Sequence, residues 1–331
     1  MNNIFVILGP ARSGTSAITR ALKVLEIDLG SNLTRASKTV NPKGFWEDNE
    51  VVYKINREIF NKLDCLSSGV TLLDRQILLG DRLKSIEQSA IALVKQRFSN
   101  TTSWGFKDPQ TSRLIPFWQS VFASLSLNEH YIIALRNPLS SAQSYQNLSG
   151  ADIETGLLLW LMHLVPAIQE TTGKKRIIVS YERLMENPLA ELQRLKKNLE
   201  ITTALRTENV DQYVHEFLDK NLYRNQFSYE DFKSHSATKL FPLCLQTYDL
   251  LLCVANDELH FDDEKFTTEW KKILNHLEKD KLFYRYVDSL LKKHHQIAKK
   301  LRSIQRSTLW KMLYPLRIIQ EGLRTLKTSR S

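Results

Sequence analysis

The chain has 331 residues, with 46 Lys and Arg, 36 Asp and Glu, and three cysteines. A hydrophobic fraction of 42% and a charged fraction of 25% are typical of a globular protein and exclude disordered and fibrous classes. Cys65, Cys244 and Cys253 are too few for a disulfide framework and lack the spacing of a zinc site. We therefore expect no metal centre, and a reducing, cytoplasmic location.

The net charge of +10 is unevenly distributed along the chain. Residues 1–200 carry 24 basic and 19 acidic side chains, residues 201–280 carry 9 and 15, and residues 281–331 carry 13 and 2. These shifts predict an α/β core over 1–200, a mainly helical acidic segment over 201–280 that completes the domain, and a basic tail over 281–331. The body lacks a recognised nucleic-acid fold or an interleaved basic and aromatic patch, so we expect no nucleic-acid partner.

A phosphate-binding loop is predicted directly after the first strand. Asn3–Leu8 is a continuous apolar run without a preceding basic segment, which favours a buried strand over a signal peptide. Gly9–Ser16 (GPARSGTS) follows, and then a helix with Ile18, Leu22 and Leu25 on one face. Two glycines at this spacing let the backbone curl so that amide groups and a helix N-terminus face an anion. The alternative is a tight turn that binds nothing.

The loop departs from the pattern of nucleotide triphosphatases. That pattern requires Lys and then Ser or Thr after the second glycine, whereas Thr15 and Ser16 follow Gly14 here. The cation in the loop is Arg12, and no apolar strand ends in a clear metal-holding Asp. An ATP-dependent small-molecule kinase remains an alternative, which the missing lysine disfavours.

Later segments repeat the alternation of strand and helix. Strands are predicted at Trp104–Lys107, His130–Leu135 and Arg176–Ser180. Asp152 is a candidate N-cap for a helix over 153–171 that Gly173 would close, and Pro188 opens another helix. The longest apolar run, 156–165, is too short to span a bilayer. This alternation predicts a parallel sheet with helices on both faces.

The chain carries Arg12-Ser13-Gly14-Thr15-Ser16 after the first strand, Arg136 with Ser144 eight residues later, and the sequence SYERL at Ser180–Leu184. Together these three motifs resemble the sulfotransferases that use 3′-phosphoadenylyl sulfate (PAPS). Arg12-Ser13-Gly14-Thr15-Ser16 is similar to their 5′-phosphosulfate loop, with Arg in place of a common lysine. Arg136 at a strand end, with Ser144 eight residues later, is similar to their 3′-phosphate motif. Ser180–Leu184 (SYERL) resembles a Tyr-Glu-x-Leu segment of the family, and the resemblance covers about residues 1–200.

The resemblance implies a P-loop-type sheet between helices, PAPS as cosubstrate and the bisphosphate PAP as product. The 5′-phosphate would then contact Arg12 and Ser13–Ser16, and the 3′-phosphate would contact Arg136 and Ser144. Cations and backbone amides can stabilise the leaving group in such a transfer, so no metal is expected.

Two further groups are candidates for catalysis. Lys107 stands where the family often has a lysine that contacts the sulfuryl group; the alternative is a solvated lysine paired with Asp108. Glycan-acting members that resemble this chain use a carboxylate shortly after the first helix as the base. Glu47 is the first candidate and Asp48 the second, although Asp48 also suits the cap of a helix that begins near Val51.

The acceptor side is less well defined. The segments 41–50 and 105–111 resemble a bacterial branch that acts on glycans, which implies a hydroxyl of a glycan or glycolipid precursor as acceptor. Aromatic side chains near the motifs suit sugar stacking, but core packing is their commoner use; they are Phe45, Trp46, Trp104, Phe106, Phe117 and Trp118. His130 begins a strand and is expected to be structural.

The tail over 284–331 is a predicted basic amphipathic helix. Its apolar positions recur every three or four residues; they are Val287, Leu290, Leu291, His294, Ile297, Leu301 and Ile304. Three interpretations stay open: peripheral docking at the inner face of an anionic membrane, pairing with a partner helix, or packing on its own domain. A non-catalytic membrane- or partner-binding protein on a degenerate P-loop scaffold is a further alternative for the whole chain.

Overall fold

The computed structural model describes residues 2–37, 40–219 and 225–312. Its sheet has four strands: β1 (Asn3–Leu8), β2 (Ser103–Lys107), β3 (Asn128–Leu135) and β4 (Lys175–Ser180). All neighbouring strands are parallel, in the order β2-β1-β3-β4. The predicted α/β class and parallel sheet are confirmed.

Sixteen α-helices are present among the described residues. They are α1 (Thr15–Val24), α2 (Arg57–Leu63), α3 (Arg75–Leu78), α4 (Lys84–Arg97), α5 (Ile115–Ser124), α6 (Pro138–Ser149), α7 (Ile153–Gln169), α8 (Tyr181–Glu186), α9 (Pro188–Asn198), α10 (Thr207–Asp211), α11 (Tyr229–Ser234), α12 (Ser236–Leu240), α13 (Pro242–Ala255), α14 (Glu264–Lys279), α15 (Lys281–Arg306) and α16 (Thr308–Met312). Short 3₁₀ turns lie at Asp81–Leu83 and Pro109–Arg113, and π-helical turns lie at Val51–Asn56 and Gln212–Phe217.

Helices cover both faces of the sheet. On one face, Phe5, Ile132 and Ile177 pack in a buried cluster with apolar residues of α1 and α9. On the other face, α7 contacts β1 and β3, and α13 contacts β3 and β4. The strands are continuous apolar runs because both of their faces are covered.

Local signals in the sequence correspond to observed helix ends. The Asp152 side chain accepts a hydrogen bond from the Thr155 amide at the start of α7, and Pro188 is the first residue of α9. The last helical residue of α7 is Gln169, so the helix ends two residues before the predicted end; Gly173 lies beyond it with a positive φ of 73°. Helices also predominate among the described residues of the segment 201–280.

The chain divides into two compact units, one ending at Lys281 and the other beginning at Leu282. In the second unit, α15 and α16 cover the described part of the basic tail, and the predicted tail residues 313–331 lie outside the described residues. Across the described ranges, no single helix has the length and apolar composition to cross a membrane; α6 and α7 meet those criteria only as a pair, bent by 117°.

The contact between α6 and α7 depends on a glycine. A Cβ atom at Gly156 would lie 2.7 Å from both the Cα and the Cβ of Ala142. Alanine in a helix is ordinarily more stable than glycine by about 0.5–1 kcal/mol. Here the added methyl group would force the two helices apart.

We therefore predict that Gly156→Ala lowers the free energy of unfolding, by about 1–3 kcal/mol, because overpacking outweighs helix propensity. Denaturant titration measures the change. The matched control is Glu154→Ala, at an exposed position of the same helix, for which a change within about 0.5 kcal/mol is expected. A stabilising Gly156→Ala would contradict this account of the α6–α7 contact.

Candidate functional site

The carboxyl ends of all four strands meet at one edge of the sheet. β1 leads into the loop Gly9–Ser16, and β2 ends at Lys107. Arg136 follows directly after β3, and Tyr181 follows directly after Ser180, the last residue of β4. β2 pairs with β1 on one side and β3 pairs with β1 on the other, so the direction in which successive strands are added to the sheet reverses at β1. Ligands of open α/β sheets bind outside the strand ends at such a reversal.

The loop after β1 adopts a conformation that two glycines make possible. Gly9 and Gly14 have φ values of 124° and 81°, and Arg12 is also left-handed at 72°. A Cβ at Gly9 would lie 2.7 Å from the Ala134 carbonyl oxygen, and a Cβ at Gly14 would lie 2.2 Å from the Tyr181 ring. Both positions therefore exclude a side chain for steric as well as conformational reasons.

Neighbouring hydroxyl groups fix the loop against the following elements. The Gly9 amide donates to Ser112 Oγ at 2.8 Å, and Ser13 Oγ lies 3.2 Å from Ser141 Oγ on α6. Gly14 precedes α1 and no side chain caps that helix. The first amide groups of a helix need partners from outside it, and an anion is a suitable one.

The two predicted phosphate motifs are brought together. Arg12 Nε donates to Ser144 Oγ at 3.0 Å, although 132 residues separate them. Arg136 Nη1 donates to the Arg12 carbonyl oxygen at 2.9 Å. The guanidinium of Arg136 also lies 4.9 Å above the centre of the Tyr181 ring. Two guanidinium groups and a hydroxyl thus surround one small region, which is an arrangement suited to phosphate.

A cleft of about 310 Å³ opens beside this cluster. Its described lining carries three cationic side chains and one carboxylate, together with amides, hydroxyls and apolar groups. The lining residues are Arg12, Gly14–Ala17, Val40–Lys43, Arg136, Ser144, Asn147, Leu148, Tyr181, Met185, Phe217–Asp219 and Asn225. The excess of positive charge and the hydroxyl groups favour an anionic ligand.

One wall of the cleft is held by contacts that the motifs did not indicate. Asn41 Nδ2 donates to Ser16 Oγ at 3.2 Å, and Ser16 Oγ donates to the Phe45 carbonyl at 3.1 Å. Lys43 Nζ donates to the Glu216 carbonyl oxygen at 2.6 Å. The segment 41–45 is thereby fixed both to the start of α1 and to the π-helical turn Gln212–Phe217.

The candidate base and the candidate sulfuryl-binding lysine form an ion pair. Lys107 Nζ lies 2.6 Å from Glu47 Oε1, and the Lys107 side chain is only 2% exposed. The alternative of a solvated Lys107 paired with Asp108 is therefore wrong. The lining of the cleft, as far as the described residues define it, includes neither Glu47 nor Lys107. In the sheet Lys107 lies opposite Ile7, two residues before the loop.

Asp48 has a structural role in this arrangement. Its carboxylate accepts from Arg97 Nε at 2.8 Å and Nη2 at 3.1 Å, and also from the amides of Glu50 at 2.9 Å and Val51 at 3.3 Å. Its bonds to these two amides cap the start of the helical stretch that includes Val51, which is the role that the alternative interpretation predicted. A buried carboxylate with four donors is less suited to accept a substrate proton than Glu47 is.

Most of the aromatic candidates belong to the core. Trp104, Phe106, Phe117 and Trp118 are buried and in ring contact with one another, so sugar stacking is the wrong interpretation for these four. Phe45 and Trp46 are partly buried beside the cleft wall. The Trp46 ring lies over Arg20, at 5.7 Å from its guanidinium.

His130 is structural, as predicted. It lies near the amino end of β3, stacked on Phe5 with ring centres 4.6 Å apart. Burial lowers the pKa of His130 to about 4, with a smaller effect from the charge of Lys175. The imidazole is therefore neutral near pH 7 and lies at the opposite end of the strand from the cleft.

Sequence reasoning missed several residues of the site. Arg97 is on α4 and pairs with Asp48, while Phe217, Asp219 and Asn225 come from the acidic segment whose pattern was weakest. No local motif marks these residues, because folding brings them to the site from segments that are distant from the motifs in the sequence. Among the described residues, no cluster of His, Cys, Asp and Glu is arranged to hold a metal ion.

Known structures similar to this chain include two sulfotransferase domains and a complex with PAP. The sulfotransferase domain from the curacin biosynthetic pathway has a TM-score of 0.43 and 16% identity, over 74% of this chain and 98% of that one. The sulfotransferase domain from the Synechococcus PCC 7002 olefin synthase has a TM-score of 0.37 and 15% identity, over 68% and 83%. Retinol dehydratase in complex with androsterone and the inactive cofactor PAP has a TM-score of 0.33 and 12% identity, over 84% and 81%.

No protein-family model matches the chain, and no curated protein matches it.

Beside the ion pair lies a buried carboxyl with a perturbed pKa. Burial and, to a smaller extent, the negative charge of Glu47 raise the pKa of Asp108 to about 6. The hydrogen bond from Asn56 acts in the opposite direction and lowers this pKa. Asn56 Nδ2 donates to Asp108 Oδ2 at 2.8 Å and to Thr111 Oγ1 at 2.9 Å, which places Asp108 within a polar network. Because the folded-state pKa is above the unfolded value, the folded state binds more protons between about pH 4 and pH 6.

We therefore predict that the stability contributed by protonated Asp108 is present below about pH 4 and is lost as pH rises through about 6. Asp108→Asn should remove this pH dependence. The free energy of unfolding of the variant minus that of the wild type should therefore rise by up to about 3 kcal/mol between about pH 4 and about pH 7. Urea titrations of both proteins at the two pH values measure the difference. A difference that does not change with pH would contradict the raised pKa.

Proposed function

We propose that the chain transfers a sulfuryl group from PAPS to an acceptor hydroxyl. The observation that carries the proposal is the hydrogen bond between Arg12 of the loop and Ser144 of α6. It joins the two motifs, one suited to a 5′-phosphate and the other to a 3′-phosphate, in one positively charged cleft. A nucleotide with phosphates on both ends of its ribose requires two such groups at one site.

The loop supports binding of a phosphosulfate without the lysine of ATP-binding loops. Thr15 occupies the position after Gly14, and the nearby cation is Arg12. The uncapped start of α1 offers backbone amides to the 5′-phosphate. The positive charge of Arg12 stabilises the negative charge that develops on the leaving phosphate oxygen. Arg136, with its planar fork, and the Ser144 hydroxyl suit the 3′-phosphate.

PAPS supplies a sulfuryl group whose bond to a phosphate oxygen is easily broken. In the proposed step the acceptor oxygen forms a bond to sulfur while the sulfur–phosphate oxygen bond breaks, and the electron pair remains on the phosphate. Glu47 accepts the proton of the acceptor hydroxyl. Lys107 orients the Glu47 carboxylate through their 2.6 Å ion pair and is our candidate for contact with the sulfuryl oxygens.

We place the acceptor among glycans or glycolipid precursors of bacteria. The support is the resemblance of segments 41–50 and 105–111 to glycan-acting sulfotransferases, and the partly buried Trp46 next to Glu47. A cytoplasmic site of action fits the three free cysteines Cys65, Cys244 and Cys253.

The cosubstrate is tested by calorimetric titration of the full chain with 3′,5′-adenosine bisphosphate and with ATP–magnesium. We predict micromolar binding of the bisphosphate, and a loss of at least about tenfold in Arg136→Ala because charged hydrogen bonds to the 3′-phosphate disappear. Arg136→Lys should recover only part of the affinity, since it keeps the charge and loses the fork.

The matched control is Arg75→Ala, at an exposed arginine outside the lining of the cleft, which should bind as the wild type does. Preferential binding of ATP–magnesium would contradict the proposal and favour a kinase. Absence of binding to both nucleotides would favour a non-catalytic protein on a degenerate loop.

The base is tested separately. Glu47→Gln removes the proton acceptor and keeps the shape, so it should retain bisphosphate affinity and lose at least about 100-fold in turnover. The measurement is release of PAP from PAPS in the presence of a glycan or glycolipid acceptor.

Glu50→Gln is the matched control, because Glu50 is a nearby carboxylate that pairs with Lys54 and Arg97. It should keep most of the turnover. If Glu47→Gln were as active as Glu50→Gln, Glu47 would not be the base.

A further inference from the structure

Helix α15 carries an exposed apolar stripe that the proposed transfer does not use. Tyr286, Leu290, Ile297, Leu301 and Ile304 are between 46% and 65% exposed. They are separated by four, seven, four and three residues, which places them along one side of the helix. We call these five residues the α15 apolar face.

The same helix is strongly basic. The range Lys281–Arg306 contains eight Lys and Arg and one acidic residue, Asp288. At about 100° per residue, Lys293 and Lys300 border the apolar face on one side. Both side chains are exposed. An apolar face bordered by long cationic side chains is the arrangement of a helix that lies in a membrane interface.

The charge distinguishes a lipid surface from a second copy of the chain. Pairing two copies of α15 would bring two helices of the same strong positive charge side by side, which costs free energy. An anionic bilayer instead offers opposite charge and a broad apolar interior to the same helix.

We propose that α15 binds an anionic lipid surface, with its apolar face inserted at the level of the headgroups. Lys293 and Lys300 then contact lipid phosphates at the edge of the inserted face. The binding needs both components: burial of the apolar side chains supplies one part of the affinity, and attraction to anionic lipid supplies the other.

The test is flotation of the full chain with vesicles of phosphatidylcholine, alone or with about one quarter phosphatidylglycerol. We expect binding to the anionic vesicles, weak binding to the neutral ones, and loss of binding as salt rises from about 0.1 M to about 1 M, where the Debye length falls to about 3 Å. Ile297→Asp with Leu301→Asp should weaken binding at least about tenfold, since two apolar side chains no longer enter the interface.

The matched control is Gln296→Asp with Ser303→Asp. It makes the same change in net charge at two exposed positions on the opposite side of α15. It should retain most of the binding, and both double variants should keep wild-type affinity for the bisphosphate, which separates this proposal from the proposed activity.

Equal losses in the two double variants would contradict insertion of the apolar face. Equal binding to neutral and anionic vesicles would contradict the role of charge. A dimer in sedimentation equilibrium that Ile297→Asp with Leu301→Asp dissociates, without vesicle binding by the wild type, would overturn the proposal in favour of a second copy.

Discussion

The geometry of the proposed site depends on the close approach of Tyr181 to Gly14. The ring occupies the space that a side chain at Gly14 would need, since a Cβ there would lie 2.2 Å from it. The same ring lies below the Arg136 guanidinium at 4.9 Å. One contact therefore sets the loop after β1 against the ends of β3 and β4, and it positions both proposed phosphate-binding motifs relative to each other.

The polar groups around this contact are buried and held by partners from distant segments. Arg136 is 6% exposed and donates to the carbonyl oxygens of Arg12 and Asn225. Lys107 is buried against Glu47. Such an arrangement is preorganised, because the fold has already removed water and fixed the charged groups before a ligand arrives. The cost of burying these charges is offset by hydrogen bonds within the fold.

Features with a local cause were predictable from the sequence. The strand, glycine loop and helix at 3–24 follow from an apolar run and two glycines, and the Asp152 cap follows from its position before an apolar helix. Arg136 follows directly after a strand, whereas Ser144 lies on α6 and was singled out by the resemblance to the sulfotransferase motif. The observed helix ends differ from the predicted ones by a residue or two, as is usual for frayed termini.

The remaining parts of the site arise from contacts between residues far apart in the chain. Asp48 was predictable as a cap, but its partner Arg97 lies 49 residues away, and Glu47 is 60 residues from Lys107. The cleft wall from the turn Gln212–Phe217 has no motif at all. The excess of positive charge is concentrated in the basic tail, and the smaller positive charge of residues 1–200 includes Arg12 and Arg136 at the cleft.

A crystal structure of the full chain with 3′,5′-adenosine bisphosphate tests most directly whether both motifs bind one nucleotide. We predict the 5′-phosphate on the amides of Gly14–Ser16 and on Arg12, and the 3′-phosphate on Arg136 and Ser144. A bisphosphate bound in the opposite orientation, or bound outside the cleft, would contradict this prediction.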